Sequence, residues 1–134
     1  MKSHRGIRVA VALSSGVLAV LAFQGTASAA PVPPGDGWDH VWSGASGDFK
    51  VYVEEHGDLI SACDTKADGK TPTVWVGPGT GETTRYSFRV TGGSGSCVSK
   101  SASLGGVYNL PEGQKFTVTA CSYGCGAWPF VNDH

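Results

Sequence analysis

The chain reads as all-β, a small antiparallel β-sandwich or barrel of about seven strands stapled by two disulfides. Three observations predict this. Apolar residues alternate with a period of two along several short runs, Gly- and Asp-rich turns separate those runs, and no helix-period segment follows the first 29 residues. The four cysteines all lie downstream of an export-like leader, where small domains commonly reinforce a modest core with cross-links.

The leader comes first. Lys2, Arg5 and Arg8 give it a positive start, an apolar run extends from Val9 to Ala22, and Ala27-Ser28-Ala29 forms a small-x-small cleavage pattern. Residues 1–29 are therefore expected to be a signal peptide, with the mature chain beginning at Ala30. The apolar run is shorter than the roughly 20 residues a membrane span needs, and the first cysteine is Cys63, too distant to carry a lipid anchor. The expected product is secreted and extracellular, free of the membrane and monomeric. Residues 30–37 (APVPPGDG) read as a flexible Pro/Gly-rich lead-in, and residues 38–134 as a single β domain.

Within that domain, Phe49, Val51 and Val53 share one face of a strand, and Lys50, Tyr52 and Glu54 share the other. A second run places Tyr86, Phe88 and Val90 opposite Arg85, Ser87 and Arg89. A third sets Phe116, Val118 and Ala120 against Thr117, Thr119 and Cys121. Shorter strands are expected at Leu59–Cys63, Thr73–Gly77, Cys97–Ala102 and Val107–Leu110. The turns between them carry suitable residues: His56-Gly57-Asp58, Ala67-Asp68-Gly69-Lys70, the Gly92–Ser96 connection and Pro111-Glu112-Gly113.

The whole chain has a formal net charge of −1. After the leader, seven basic residues face eleven acidic ones, which gives −4. No basic stripe remains for nucleic acid. Four cysteines permit three pairings. Cys121 falls on the threonine face of its strand, and Ser122-Tyr123-Gly124 is a turn that brings Cys125 back beside it. This geometry favours Cys121–Cys125 and leaves Cys63 to pair with Cys97, against a crossed pairing through the core.

Catalytic patterns are sparse. His40, His56 and His134 are the only histidines after the leader, and none stands in a G-x-S-x-G or H-E-x-x-H motif. His56 in a turn and His134 at the last position are expected to be solvated. Glu54, Glu55 and Asp58 gather three carboxylates, but glycosidase chemistry needs two facing across a cleft, and a charged hairpin rim is read as a solubilising edge. Asp64-Thr65-Lys66-Ala67-Asp68-Gly69 lacks the alternating acidic order of a calcium loop and holds a lysine at its centre, so a capped turn is expected there. No metal, cofactor or catalytic residue is predicted.

The run from Gly57 to Gly69, a strand ending in Cys63-Asp64 followed by a polar turn ending Ala67-Asp68-Gly69, resembles a recurring pattern among small secreted proteins of Streptomyces and related actinobacteria. The Ala-rich leader with its Ala-x-Ala exit is similar. The resemblance covers about a tenth of the chain. It implies a secreted β fold and assigns no site residue.

Recognition by a surface is then the leading expectation. In Thr73-Val74-Trp75-Val76 the valines share a face, so Trp75 points the other way, as a platform for a sugar ring or for a partner's apolar patch; in a sheet packed on both faces it would be core instead. By the same parity Tyr52, Arg85 and Arg89 join Trp75 as candidate binding residues. Trp38, Trp42 and Trp128 lie near the chain ends and are expected to seal the open end of a sandwich. The function predicted is a non-catalytic extracellular binding protein whose target is a protein or a cell-envelope glycan. An inhibitor of a secreted hydrolase is the alternative and a small hydrolase the third. A tightly tethered exposed loop would favour inhibition, coplanar exposed aromatics would favour glycan binding, and a pocket holding His40 beside a carboxylate would favour an enzyme.

Overall fold

The period-two runs pair into two four-stranded antiparallel sheets in a computed structural model that describes residues 31–35 and 37–134. The expected signal peptide, residues 1–29, lies outside the described residues. The strands are β1 (His40–Ser43), β2 (Phe49–Glu54), β3 (Leu59–Asp64), β4 (Thr73–Pro78), β5 (Tyr86–Arg89), β6 (Cys97–Lys100), β7 (Gln114–Cys121) and β8 (Cys125–Asn132). One sheet runs β1-β2-β3-β6 and the other β5-β4-β7-β8. Among the described residues no helix is long and apolar enough to cross a membrane.

Register follows burial. Val51 pairs with Ala62 in the first sheet, and in the second Val74 stands between Phe88 and Ala120. A slip of one residue would turn every one of these side chains to the opposite face. Phe49, Val53, Ile60, Val76, Phe116 and Val118 complete the dry centre between the sheets. Trp42 on β1 and Trp128 on β8 stack with ring centres 5.6 Å apart and planes within 5°, and both pack against that centre. These two tryptophans close the side of the sandwich where the edge strands β1 and β8 face each other, not the open end expected of them.

Two strands escape the alternation argument. β1 is only four residues long, and β8 contains Gly126 and Pro129. A proline is tolerated on an edge strand, where its missing N–H need not break a central ladder. Conversely, the strand expected at Val107–Leu110 is absent: Gly105 and Gly106 both take positive φ (72° and 58°) and curl the chain into short 3-10 turns at Ala102–Leu104 and Gly106–Tyr108. The described residues thus hold eight strands instead of about seven.

Both disulfides form as geometry suggested. Cys63 and Cys97 are opposite one another on β3 and β6, and Cys121 and Cys125 close the β7–β8 hairpin. Asp64 and Asp68 accept the backbone N–H groups of Lys66 and Lys70, which makes this segment the capped turn expected.

The Glu54/Glu55/Asp58 rim differs from the solubilising edge predicted. Asp58 is 4 % exposed and takes positive φ (53°) in the β2–β3 turn, a conformation that Asp tolerates better than most residues. Its carboxylate accepts the Leu110 N–H (2.8 Å) and the Asn132 side-chain N–H (2.9 Å), and that same Asn132 nitrogen also donates to Leu110 O. The turn, the crossover before β7 and the end of β8 are joined there. Tyr86 is buried at the margin of this junction; burial pushes its hydroxyl pKa well up, and the negative charge of Asp58 adds to the effect.

The Tyr86 hydroxyl has no hydrogen-bond partner among the described residues. Tyr86→Phe is therefore expected to stabilise the fold by about 1 kcal/mol, because an unsatisfied buried hydroxyl is removed while the ring stays. The same variant should resist alkali better. A raised folded pKa keeps its stabilisation below pH ~10, the unfolded value, and loses it as pH rises toward the folded value, at about 1.4 kcal/mol per pH unit. Denaturant melts at pH 9 and pH 11 check both effects.

Candidate functional site

The outward side chains of the second sheet form ordered rows. Ser87, Trp75, Thr119 and Ala127 are successive cross-strand partners, and Arg89, Thr73, Cys121 and Cys125 make the neighbouring row. Trp75 is half-buried and stands outside the dry core. Every side chain directly beside it on the face is small: Thr73 and Gly77 along β4, Ser87 and Thr119 across it. The indole is thus the one large group at the centre of a hydroxyl-rich floor.

Both ends of that floor have walls. Beyond Trp75, a side chain at Gly77 would collide with the Thr83 carbonyl, and Thr117 donates to Gly79 O at 2.7 Å, so the β4–β5 connection folds over this end of the face. At the other end stands the Cys121–Cys125 bridge. Past it, Tyr123 is the most exposed large apolar side chain of the described residues, at 78 %. Its backbone is nonetheless fixed, for its N–H donates to the buried Asp48 carboxylate (2.9 Å) and the Ser122 N–H to Gly124 O (3.0 Å).

Of the four candidate binding residues, Trp75 and Arg89 share this face, and Arg89 is exposed. Arg85 does not serve as predicted. Its guanidinium turns off the sheet and donates to Val107 O (2.7 Å) and Asn109 O (2.8 Å), pinning the crossover.

Tyr52 is a correction as well. It sits on β2, in the opposite sheet from Trp75, and it is only 4 % exposed. The lead-in covers it: Tyr52 OH donates to Pro31 O (3.1 Å), the Trp38 ring packs on it at 5.2 Å, and Pro33 is buried. Burial pushes the Tyr52 hydroxyl pKa up. Trp38 thus caps an outer face instead of sealing the sandwich end. Parity correctly placed Tyr52 away from the core, but a segment some twenty residues upstream returns to cover that side. What sequence reasoning missed is Tyr123, whose signal was available in the tight Cys-x-x-x-Cys loop around it.

His40 does stand beside a carboxylate, with Nε2 2.8 Å from Glu55 Oε1, at the side of the sandwich where β1 meets the chain end. His56 and His134 are exposed, as expected.

The fold and face define a disulfide-stapled antiparallel β-sandwich whose aromatic residue is covered on one outer surface, at Tyr52, and accessible on the other, at Trp75. Comparison with protein-family models, with curated proteins and with solved structures found no significant match to the chain.

Proposed function

We propose that this is a small secreted, non-catalytic binding protein, and that it docks its target on the outer face of the second sheet. One observation carries this reading: the lead-in covers the aromatic residue on the outer face of the first sheet, Tyr52, whereas the second sheet keeps Trp75 accessible among Thr73, Ser87, Thr119 and Arg89. A flat indole ringed by short hydroxyls and a guanidinium suits a sugar ring, whose apolar face stacks on the indole while its hydroxyls bond to the rim. A cell-envelope glycan is accordingly the target this face fits best, and an extracellular protein is the other. The two disulfides and the tripartite leader support an extracellular setting.

Trp75→Ala is expected to weaken binding to purified cell-wall glycan by about 2 kcal/mol, a 30-fold loss, with a melting temperature within a few degrees of the parent. A large drop in stability with unaltered affinity per folded molecule would refute the reading.

A second reading rests on the Cys121–Cys125 loop. A short tethered loop presenting an exposed Tyr123 is already ordered before binding, which is what an inhibitor of a secreted hydrolase needs. Tyr123→Ala separates the two: it leaves glycan binding intact in the first and abolishes inhibition in the second.

A further inference from the structure

Every histidine of the described residues gathers at one place, and the docking face plays no part in it. Three separate stretches of chain meet there: Asp39-His40 at the start of β1, Glu55-His56 in the β2–β3 turn, and Asp133-His134 after β8. One ligand atom from each of Asp39, Glu55 and His134 lies within 4.8 Å of the others.

The contacts inside the group are specific. Glu55 Oε1 is 2.8 Å from His40 Nε2, while Glu55 Oε2 is 3.9 Å from His134 Nε2 and accepts the Asp133 N–H at 3.3 Å. Asp39 Oδ2 accepts the Glu55 N–H at 2.7 Å. The His56 and His134 rings meet edge to face at 6.3 Å. Glu112 is drawn in through the His134 N–H at 3.0 Å.

Charge makes the group incomplete. With histidine counted neutral, Asp39, Glu55, Glu112 and Asp133 contribute four negative charges. Among the described residues only Glu55 of these four makes ion pairs, both with histidines, and no lysine or arginine comes within ion-pair distance of the four. A purely electrostatic surface cluster of this density would ordinarily be interleaved with lysine or arginine. The imidazoles that stand here instead are good divalent-metal ligands.

We propose that Asp39, Glu55 and His134 bind a borderline divalent cation of the Zn²⁺ class, with His40 as the adjoining fourth donor. Mixed imidazole and carboxylate donors match zinc, which takes four ligands at about 2.0–2.2 Å. Calcium takes an all-oxygen shell, whereas this group brings imidazole nitrogens to the centre. Closing from 4.8 Å to a zinc shell asks for small side-chain movements. Asp39 and His134 are both exposed, which leaves space for those movements. Such an ion would tie β1 of the first sheet to the end of β8 in the second, on the side already closed by the Trp42–Trp128 stack.

The test is calorimetric titration of Zn²⁺ into the purified full-length chain carrying no histidine tag. One equivalent should bind, and the melting temperature should rise with Zn²⁺ concentration because only the folded state assembles the site. Glu55→Gln and His134→Ala should each weaken binding at least ten-fold and abolish the thermal response, whereas Glu82→Gln, on the distant β4–β5 connection, should change neither. Absence of binding at micromolar Zn²⁺, or full affinity in both site variants, would overturn the proposal. Should either variant fail to fold, Co²⁺ in the unsubstituted protein decides. Paramagnetic shifts on the His134 and His40 ring protons support the site, and shifts confined to other residues refute it.

Discussion

Asp58→Ala is expected to lower the free energy of unfolding by about 4 kcal/mol. The carboxylate accepts two hydrogen bonds in a buried site, and bonds to an ionised acceptor are worth about 1.5–3 kcal/mol each. Its removal strands the Leu110 N–H, and Asn132 keeps only its bond to the Leu110 carbonyl. Alanine also fits the positive φ of this turn poorly. For a domain of this size the melting temperature should fall by about 15–25 °C. Asp58→Gly separates the two contributions: it relieves the backbone but not the lost bonds, and should recover about 1 kcal/mol. Melts of both variants beside the parent check the assignment, and an Asp58→Ala melt within a few degrees of the parent would show that the junction is not holding the turn, crossover and last strand together.

The second large effect is loss of the longer disulfide. The Cys63→Ala/Cys97→Ala double variant should lose about 4 kcal/mol, because the bridge closes a loop of 34 residues in the unfolded chain. The Cys121→Ala/Cys125→Ala variant, whose bridge spans a separation of four, should lose about 2 kcal/mol on the same chain-entropy argument. Denaturant titration under non-reducing conditions measures both as shifts in midpoint. An equal or reversed order would mean that native-state packing around the bridges outweighs the entropy of the unfolded chain. That outcome has a specific candidate cause, since Cys63 is fully buried whereas Cys125 is exposed.

The central strands were legible because they obey a local rule. Val51, Val53, Val74, Phe116 and Val118 each face the core from positions one residue apart from outward-facing neighbours. The edge strand β5 obeys it too, with buried and exposed residues in strict alternation, but the edge strands β1 and β8 do not. β8 therefore hides behind Gly126 and Pro129, and β1 behind its brevity. The Val107–Leu110 stretch failed in the other direction, its β-like composition overridden by two glycines at positive φ immediately upstream.

The candidate site divides in the same way. Parity alone turned Trp75 and Arg89 outward, and register then placed them on one face. It also turned Tyr52 and Arg85 outward, yet neither is available for a partner. Tyr52 is covered from residue 31, and Arg85 is spent on carbonyls 22 and 24 residues downstream.

By itself the amino-acid sequence determined the all-β class, the core-facing sets of β2, β4, β5 and β7 and the preferred cysteine pairing, because alternation and short loop closure are properties of neighbouring residues. Only the tertiary structure decided which outward aromatic residue stays accessible, that Asp58 is a buried tie instead of a charged rim, and that His40, Glu55 and His134 meet. Each of those facts depends on segments 15 to 94 residues apart. Such distant segments approach one another only once the two sheets have packed, so no local pattern records their meeting.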